Sequence, residues 1–382
     1  MPPAEGGGME INMKIKIITC HDVYNVGASL QAYALQEYLK SLGHDVEIID
    51  YKPEYLVHYK LTGIANIKYD KPILREIYTL IKFPGRLKER FSKRKRKFDF
   101  FTRNFLTVTD ISYSSNEKLK SNPPIADIYF AGSDQIWNTL FQNGRDPAFY
   151  LEFVPPNAIK ASYAASFATE DIIEEYKPQI KKWLSDMDYI SVREKNGISI
   201  INNLGVNNVI QVLDPVFLLK KDRWIEMEAK LEIGEPYILL YDFDCNEEIG
   251  EYTRKIAKKN GWKVYSILKN PYCDRDFEQE GPTEFLWLID HSEFVISNSF
   301  HATAFSIIFE KQFEVFERKE DINTRIRDLV KSLDLENRIL NEKKNQQTQS
   351  ELIEYKIVKT LLEKNIVESQ NYIKDVCNSK KE

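Results

Sequence analysis

Cysteine is scarce and scattered in this chain. The 382 residues hold 4 cysteines, Cys20, Cys245, Cys273 and Cys377, with no CxxC pair. That spacing suggests neither a structural zinc site nor a disulfide framework, and it is consistent with a reducing compartment. No stretch approaches the roughly 18 uninterrupted apolar residues that a membrane helix needs. The opening Met1-Pro2-Pro3-Ala4-Glu5, followed by Gly6-Gly7-Gly8, lacks the charged-then-apolar order of a signal peptide. Residues 1–13 therefore read as a disordered leader, with the native start at Met9 or Met13, and the expected location is the cytoplasm. Positive charge is not in excess either: 53 Lys+Arg face 58 Asp+Glu, which excludes a global attraction for nucleic acid.

What is present is an ordinary globular balance, 43% hydrophobic and 29% charged, which excludes disorder and collagen-like structure. At roughly 100–200 residues per domain, the length fits two domains or one large α/β unit. Residues 14–19 read as a buried strand. Leu30, Ala34, Leu35, Tyr38, Leu39 and Leu42 recur at helical spacing, Gly43 suits a helix C-terminus, and 46–50 is a second strand. This opening βαβ unit implies a parallel sheet. Further strands are expected at 128–131, 158–165, 189–193 and 209–212, with a helix at 172–186. From Pro236 the rhythm restarts: strands at 237–241, 263–267, 294–297 and 313–316 alternate with helices at 247–260, 283–291 and 302–309.

The fold class is thus α/β, with two Rossmann-like doubly wound domains facing a cleft. The first is expected over 14–225, with a basic aromatic insertion at 84–105, and the second over 226–345. The apolar-poor stretch 220–235 reads as the linker, and 346–382 as a helix packing back toward the first domain. In the insertion, Arg86, Lys88, Arg90, Lys93, Arg94, Lys95, Arg96 and Lys97 interleave with Phe91, Phe98, Phe100 and Phe101. It reads as a solvated helix with a packed aromatic side, or as a contact with an anionic membrane surface.

Polar clusters fall where strands end, the edge that carries ligands in α/β sheets. After the first strand, Asn25 and Gly27 open a helix and suit either anion binding or a plain capped turn. Cys20 and His21 are adjacent, a weak signal for a nucleophile pair. In Gly132-Ser133-Asp134-Gln135-Ile136-Trp137-Asn138, Asp134 could take a hydroxyl proton, Gln135 and Asn138 could hold sugar hydroxyls, and Trp137 could stack on a sugar face. The competing reading is a turn with a core tryptophan. Arg193-Glu194 offers a guanidinium fork for a carboxylate or phosphate, or a surface ion pair. Tyr163 in Tyr163-Ala164-Ala165-Ser166 is assigned to the cleft and Leu213-Asp214-Pro215 to a structural corner. His301, in Ser297-Asn298-Ser299-Phe300-His301-Ala302, sits in a helix's first turn, where it suits acid and base work or capping. Asn323, Arg325 and Arg327 could reach the same cleft.

Taken in order, Asn25-Val26-Gly27-Ala28 with Leu30-Gln31, Gly132 to Asn138, Tyr163 to Ser166, Ser191-Val192-Arg193-Glu194, Leu213-Asp214-Pro215, Ser299-Phe300-His301-Ala302 and Asn323-Thr324-Arg325 resemble the polysaccharide pyruvyl transferase family. Phe300 stands where many relatives carry Arg, and Gln312 replaces a frequent Pro. The resemblance implies a GT-B-like fold with acceptor and donor halves. It implies transfer of pyruvate from phosphoenolpyruvate to two hydroxyls of a sugar in a capsular or exopolysaccharide precursor, giving a ketal and releasing phosphate. It also implies catalytic roles for His301, Arg193 and Asp134. Asn25, Gly27, Gln31, Ser133, Gln135, Trp137, Asn138, Tyr163, Ser299, Asn323 and Arg325 would bind substrate. No cofactor or metal is required beyond phosphoenolpyruvate as donor. An acceptor carried on a polyprenyl diphosphate would bring the enzyme to the inner face of the membrane; nucleic acid is not an expected partner. The alternatives are a GT-B glycosyltransferase using a nucleotide sugar, and a non-catalytic binder of a glycan or lipid carrier.

Overall fold

The computed structural model describes residues 12–56, 91–319, 322–340 and 351–381, together with 76–78, 80, 81, 83 and 85. The leader up to residue 11, and Arg86, Lys88 and Arg90 of the basic insertion, lie outside the described residues.

Two parallel sheets organise the chain. In the first, β1 (Lys14–Ile18), β2 (Asp45–Tyr51), β3 (Val108–Tyr113), β4 (Ile128–Ala131) and β5 (Ile159–Ser162) run in the order β3-β2-β1-β4-β5. The pair β6 (Ile190–Val192) and β7 (Val209–Gln211) continues it through single bridges Ala161–Tyr189 and Ala165–Val192. In the second, β8 (Tyr237–Tyr241), β9 (Lys263–Ser266), β10 (Arg275–Asp276), β11 (Phe294–Ser297), β12 (Phe313–Phe316) and β13 (Ile339–Leu340) follow β10-β9-β8-β11-β12-β13. Each order is the doubly wound 3-2-1-4-5-6 pattern, which reverses direction between its first and fourth strands. The inner strands β4, β8 and β11 are continuous runs of buried residues, as sheets covered on both faces require.

Several local expectations are corrected. Strand β3 was not foreseen. The strand expected at 158–165 stops at Ser162, because Ala164 takes a left-handed φ of 49° that ends the ladder. The helix expected at 172–186 begins at Lys177, where Pro178 occupies a first-turn position, after a 3-10 turn at Glu174–Tyr176. The helix expected at 302–309 starts at Phe300, capped by Ser299, whose side chain accepts from the Ala302 N–H.

The stretch expected as a free linker is packed instead. Trp224, on the short helix Lys221–Ile225, is fully buried and meets Tyr33 of the first half and Phe305 of the second edge-on. One hydrophobic cluster accordingly runs through both halves. The helix Tyr355–Asn378 spans them as well. At its start Tyr355 donates to the Ser306 carbonyl, and further along Tyr372 donates to the Ser162 carbonyl at 2.8 Å. No described helix is long and apolar enough to cross a membrane.

The basic segment forms the helix Lys93–Phe105, with Phe98 and Phe101 buried against the first half. Several of its cations are spent between the halves. Lys93 pairs with Glu280, and Lys97 with Glu284, a buried residue that also accepts from the Gly281 N–H. Arg94 donates through Nη1 to the Glu278 carbonyl and through Nη2 to the Tyr24 carbonyl, both at 2.9 Å. Of the two readings of this segment, these contacts favour the packed helix. Lys97→Met is expected to lower stability by about 1 kcal/mol at low salt, as for a partly exposed pair, and by less in 1 M salt. Equal unfolding midpoints for wild type and variant at low salt would contradict an electrostatic tie here.

Candidate functional site

The reversal points of the two sheets face one another. Loops after β1 and β4 bring Asn25, Gly27, Asp134 and Gln135 to one wall of a cavity of about 100 Å³. Loops after β8 and β11 bring Tyr241, Phe243, Asn298, Ser299, Phe300 and His301 to the other, and the turn after β12 with the helix Thr324–Ser332 adds Arg318 and Arg325.

Two helix N-termini converge here. Asn25 caps Val26–Ser41 by accepting from the Ala28 N–H at 3.1 Å, and Ser299 caps Phe300–Ile308. Their free N–H groups and positive dipole ends favour an anion. The two helices also fit each other. A Cβ on Gly27 would stand 1.9 Å from His301 Nδ1, so the absence of a side chain makes room for the imidazole. Gly132 is needed for a different reason: it has φ +137°, and a Cβ there would lie 2.1 Å from the Tyr163 carbonyl oxygen.

Buried charge dominates the chemistry. Arg325 lines the cavity, while Arg193 stands behind Phe300, with its guanidinium 4.8 Å from that ring's centre; Arg325 approaches the same ring at 5.6 Å. Thus the position without an arginine carries an aromatic plate shared by two others. Asp134 lies 3.4 Å from Arg325 and 3.7 Å from Arg193. Asp214, fully enclosed, meets Arg193 Nη2 at 2.9 Å and His301 Nε2 at 3.6 Å. Burial opposes its ionisation, but Arg193 and then His301 outweigh it and bring its pKa down to about 2. Burial, followed by the charge of Arg193, brings Arg325 down to about 10. Arg193 Nε and Nη1 and Arg325 Nε find no hydrogen-bond acceptor among the described residues. The arrangement is a cationic seat short of acceptors, suited to a compact anion.

Of the residues expected at the site, Asn25, Gly27, Asp134, Gln135, Ser299, His301 and Arg325 line the cavity. The others do not. Arg193, expected to grip ligand, is held behind the wall by Ser133 Oγ at 2.6 Å and by Asp214. Gln31 and Ser133 are fully buried; Gln31 Oε1 accepts the Ser133 N–H, and Ser133 donates to the Ala164 carbonyl. They pack behind the cavity wall, where Ser133 Oγ meets Arg193. Trp137 is buried, stacked on Tyr150 and donating to the Phe149 carbonyl, so it offers no sugar platform. Asn138 turns inward to Gln135 and the Leu140 N–H. Tyr163 is buried against Tyr372. Asn323 clasps the Arg318 backbone at both N–H and carbonyl. Arg327 is directed to Glu317 and Glu170 on the surface. Glu194 is no surface ion-pair partner: it is enclosed and accepts from Ser166 Oγ and the Phe167 and Ala168 N–H groups. Cys20 and His21 make no nucleophile pair. Burial pushes the thiol far up, and His21 faces inward to Asp50 at 3.1 Å.

Sequence reading missed four contributors. Asp214, taken as a corner, is one: it caps the turn Pro215–Leu218 and also holds Arg193 and His301. Its place after β7, at another strand end, was the available signal. Tyr241 ends β8 and Phe243 follows it, on an apolar run that reads simply as strand. Arg318, over the Phe243 ring at 4.8 Å and 3.3 Å from Asp244, has no motif around it.

The family model described as polysaccharide pyruvyl transferase matches residues 25–320. No curated protein sequence matches the chain. Among solved structures, UDP-GlcNAc 2-epimerase from Neisseria meningitidis bound to UDP-GlcNAc aligns at 12% identity and TM-score 0.46, over 96% of this chain and 94% of its own. A putative UDP-N-acetylglucosamine 2-epimerase from Listeria monocytogenes aligns at 9% and 0.49, over 97% and 92%. E. coli heptosyltransferase with ADP-2-deoxy-2-fluoro heptose aligns at 11% and 0.38, over 81% and 90%.

Two outcomes are expected from this geometry. Gly27→Ala displaces the imidazole while the chain stays folded, read as a shifted His301 ring signal in histidine-labelled protein; an unmoved signal would contradict the close fit. Asp214 has a folded pKa below its unfolded value of 3.8, so its contribution of about 2 kcal/mol is present above pH ~4 and disappears as pH falls through about 2. Asp214→Asn is therefore less stable than wild type at neutral pH, and the gap in melting temperature closes between pH 4 and pH 2.

Proposed function

The chain belongs to the polysaccharide pyruvyl transferase family, and from that premise we propose that it transfers the pyruvyl unit of phosphoenolpyruvate to two hydroxyls of a sugar in a capsular or exopolysaccharide precursor, closing a cyclic ketal. The observation that supports this best is the cationic seat itself. Arg325 and His301 stand on the wall between two helix N-termini, and Arg193 adds a second buried guanidinium behind them. Phosphoenolpyruvate brings a phosphate and a carboxylate, so it needs cations in just such density.

The reaction then runs with balanced protons. One proton goes to the methylene carbon, making the adjacent carbon oxocarbenium-like. The first sugar oxygen attacks that carbon and gives up its proton. The carbon–oxygen bond to phosphate breaks, and the second hydroxyl closes the ring with loss of its proton. Of the two hydroxyl protons, one restores the acid and the other leaves with phosphate.

In this scheme Arg325 and Arg318 hold the anionic groups, and His301 supplies the proton. Asp134 accepts from the attacking hydroxyl. Arg193 and Asp214 act through their neighbours: they fix the imidazole and add positive potential under the departing phosphate.

A nucleotide-sugar glycosyltransferase is the second reading. A thermal shift distinguishes the two. Phosphoenolpyruvate at 100 times its Kd should stabilise the protein by about 2.7 kcal/mol, while UDP and GDP should not. Arg325→Ala should abolish that shift. His301→Ala should cut phosphate release with a suitable acceptor by about 100- to 1000-fold. Stabilisation by UDP but not by phosphoenolpyruvate, or wild-type turnover in His301→Ala, would overturn the reading.

A further inference from the structure

On the second half, the helix Pro282–Asp290 ends beside a polar cluster that the reaction above does not use. Glu228, Asp290 and His291 each offer one ligand atom, and these atoms lie within 4.8 Å of one another. Glu228 is held in place by its chain neighbours. The Ala229 N–H donates to the Thr283 carbonyl at 3.1 Å, and the Met227 N–H to the carbonyl of the buried Trp224. Its side chain is 8% exposed, and Oε1 has no hydrogen-bond partner among the described residues. Oε2 faces His291 Nδ1 at 3.8 Å.

Two lysines lie nearby and neither fills the gap. Lys221 Nζ donates to the Phe309 carbonyl at 3.3 Å and stands 3.8 Å from Asp290 Oδ1. Lys311 Nζ donates to the Asp290 carbonyl at 2.5 Å. The imidazole is oriented by stacking on Trp287, with ring centres 4.2 Å apart and planes 12° from parallel. Its Nδ1 is 3.1 Å from the Trp287 carbonyl, but that oxygen already accepts the His291 backbone N–H at 3.0 Å. Nδ1 can therefore turn to another partner without leaving a carbonyl bare.

The geometry points to a metal site: we propose that Glu228, Asp290 and His291 bind a divalent transition-metal ion, zinc in the first instance. Around a tetrahedral ion with ligands at about 2.0–2.2 Å, neighbouring donors stand about 3.4 Å apart, so the 3.8 Å separation closes by a few tenths of an ångström. Asp290 moves in from its long contact with Lys221. An imidazole in the donor set selects zinc, cobalt or nickel over magnesium and calcium. The exposed side of His291 leaves room for water to complete the coordination. The ion ties the chain at 226–229 to the end of the Pro282–Asp290 helix, and none of its three ligands lines the cavity.

Titration calorimetry on the chelator-treated full chain tests this, with zinc chloride as the probe. One saturable site per chain is expected, with magnesium giving no heat and cobalt giving the visible bands of a bound ion. Glu228→Gln and His291→Ala should each weaken zinc roughly tenfold or more. His291 is 46% exposed, so its replacement leaves the fold intact. Replacing Cys245 and Cys273 by serine should change nothing. No saturable zinc uptake, uptake unaltered in both ligand variants, or uptake lost with the two cysteines would each overturn the proposal.

Discussion

Two guanidiniums enclosed beside one phenyl ring set the terms for the rest of the molecule. Like charges at this depth repel and are poorly solvated, and Arg325 feels both effects. The protein tolerates them because every nearby acid is placed to help. Asp214 meets Arg193, Asp134 reaches toward both, and Phe300 lends them its negative face. Compensation stops short of complete, and the remainder is what an anionic ligand would supply. A buried ion network of this kind contributes little to stability on balance; its value lies in fixed geometry and in the field it presents to the cavity.

That field exists only while the halves stay in register, and the chain invests in their registry at several separate places. Trp224 joins the two cores through a segment that composition alone marks as a connector. The Lys93–Phe105 helix reaches from the first half to the turn at 278–284 and, through Arg94, to the carbonyl of Tyr24, the residue before the Asn25 cap. The final helix straps the back. Each tie lies outside the cavity wall, yet each bears on how its two sides meet.

Much of this architecture could be read from the sequence. Strands with several buried β-branched or aromatic residues, such as 128–131, 237–241 and 294–297, were legible to the residue, because an apolar run bounded by polar turns has few other solutions. The helix Glu247–Asn260 was legible too, with acidic residues at its start, lysines at its end and Gly261 after it. Strand β3 was not, since Val108–Tyr113 is half exposed and carries Asp110 and Ser112 like a loop. At the site, strand-end position drew attention to Asn25, Asp134, His301 and Arg325, and all four line the cavity. What sequence could not show is which way a side chain turns. Trp137 and Asn138 share a motif with Asp134 and Gln135, yet only the latter two line the cavity, while Trp137 and Asn138 are buried behind it. Arg193 and Arg325 look alike as residues, and only packing decides which one meets the cavity.

The seat of His301 against Gly27 has one further implication. The glycine belongs to one lobe and the imidazole to the other, so their contact doubles as a gauge of how far the lobes have separated. Any widening of the groove would therefore deprive the ring of its backstop at the same moment.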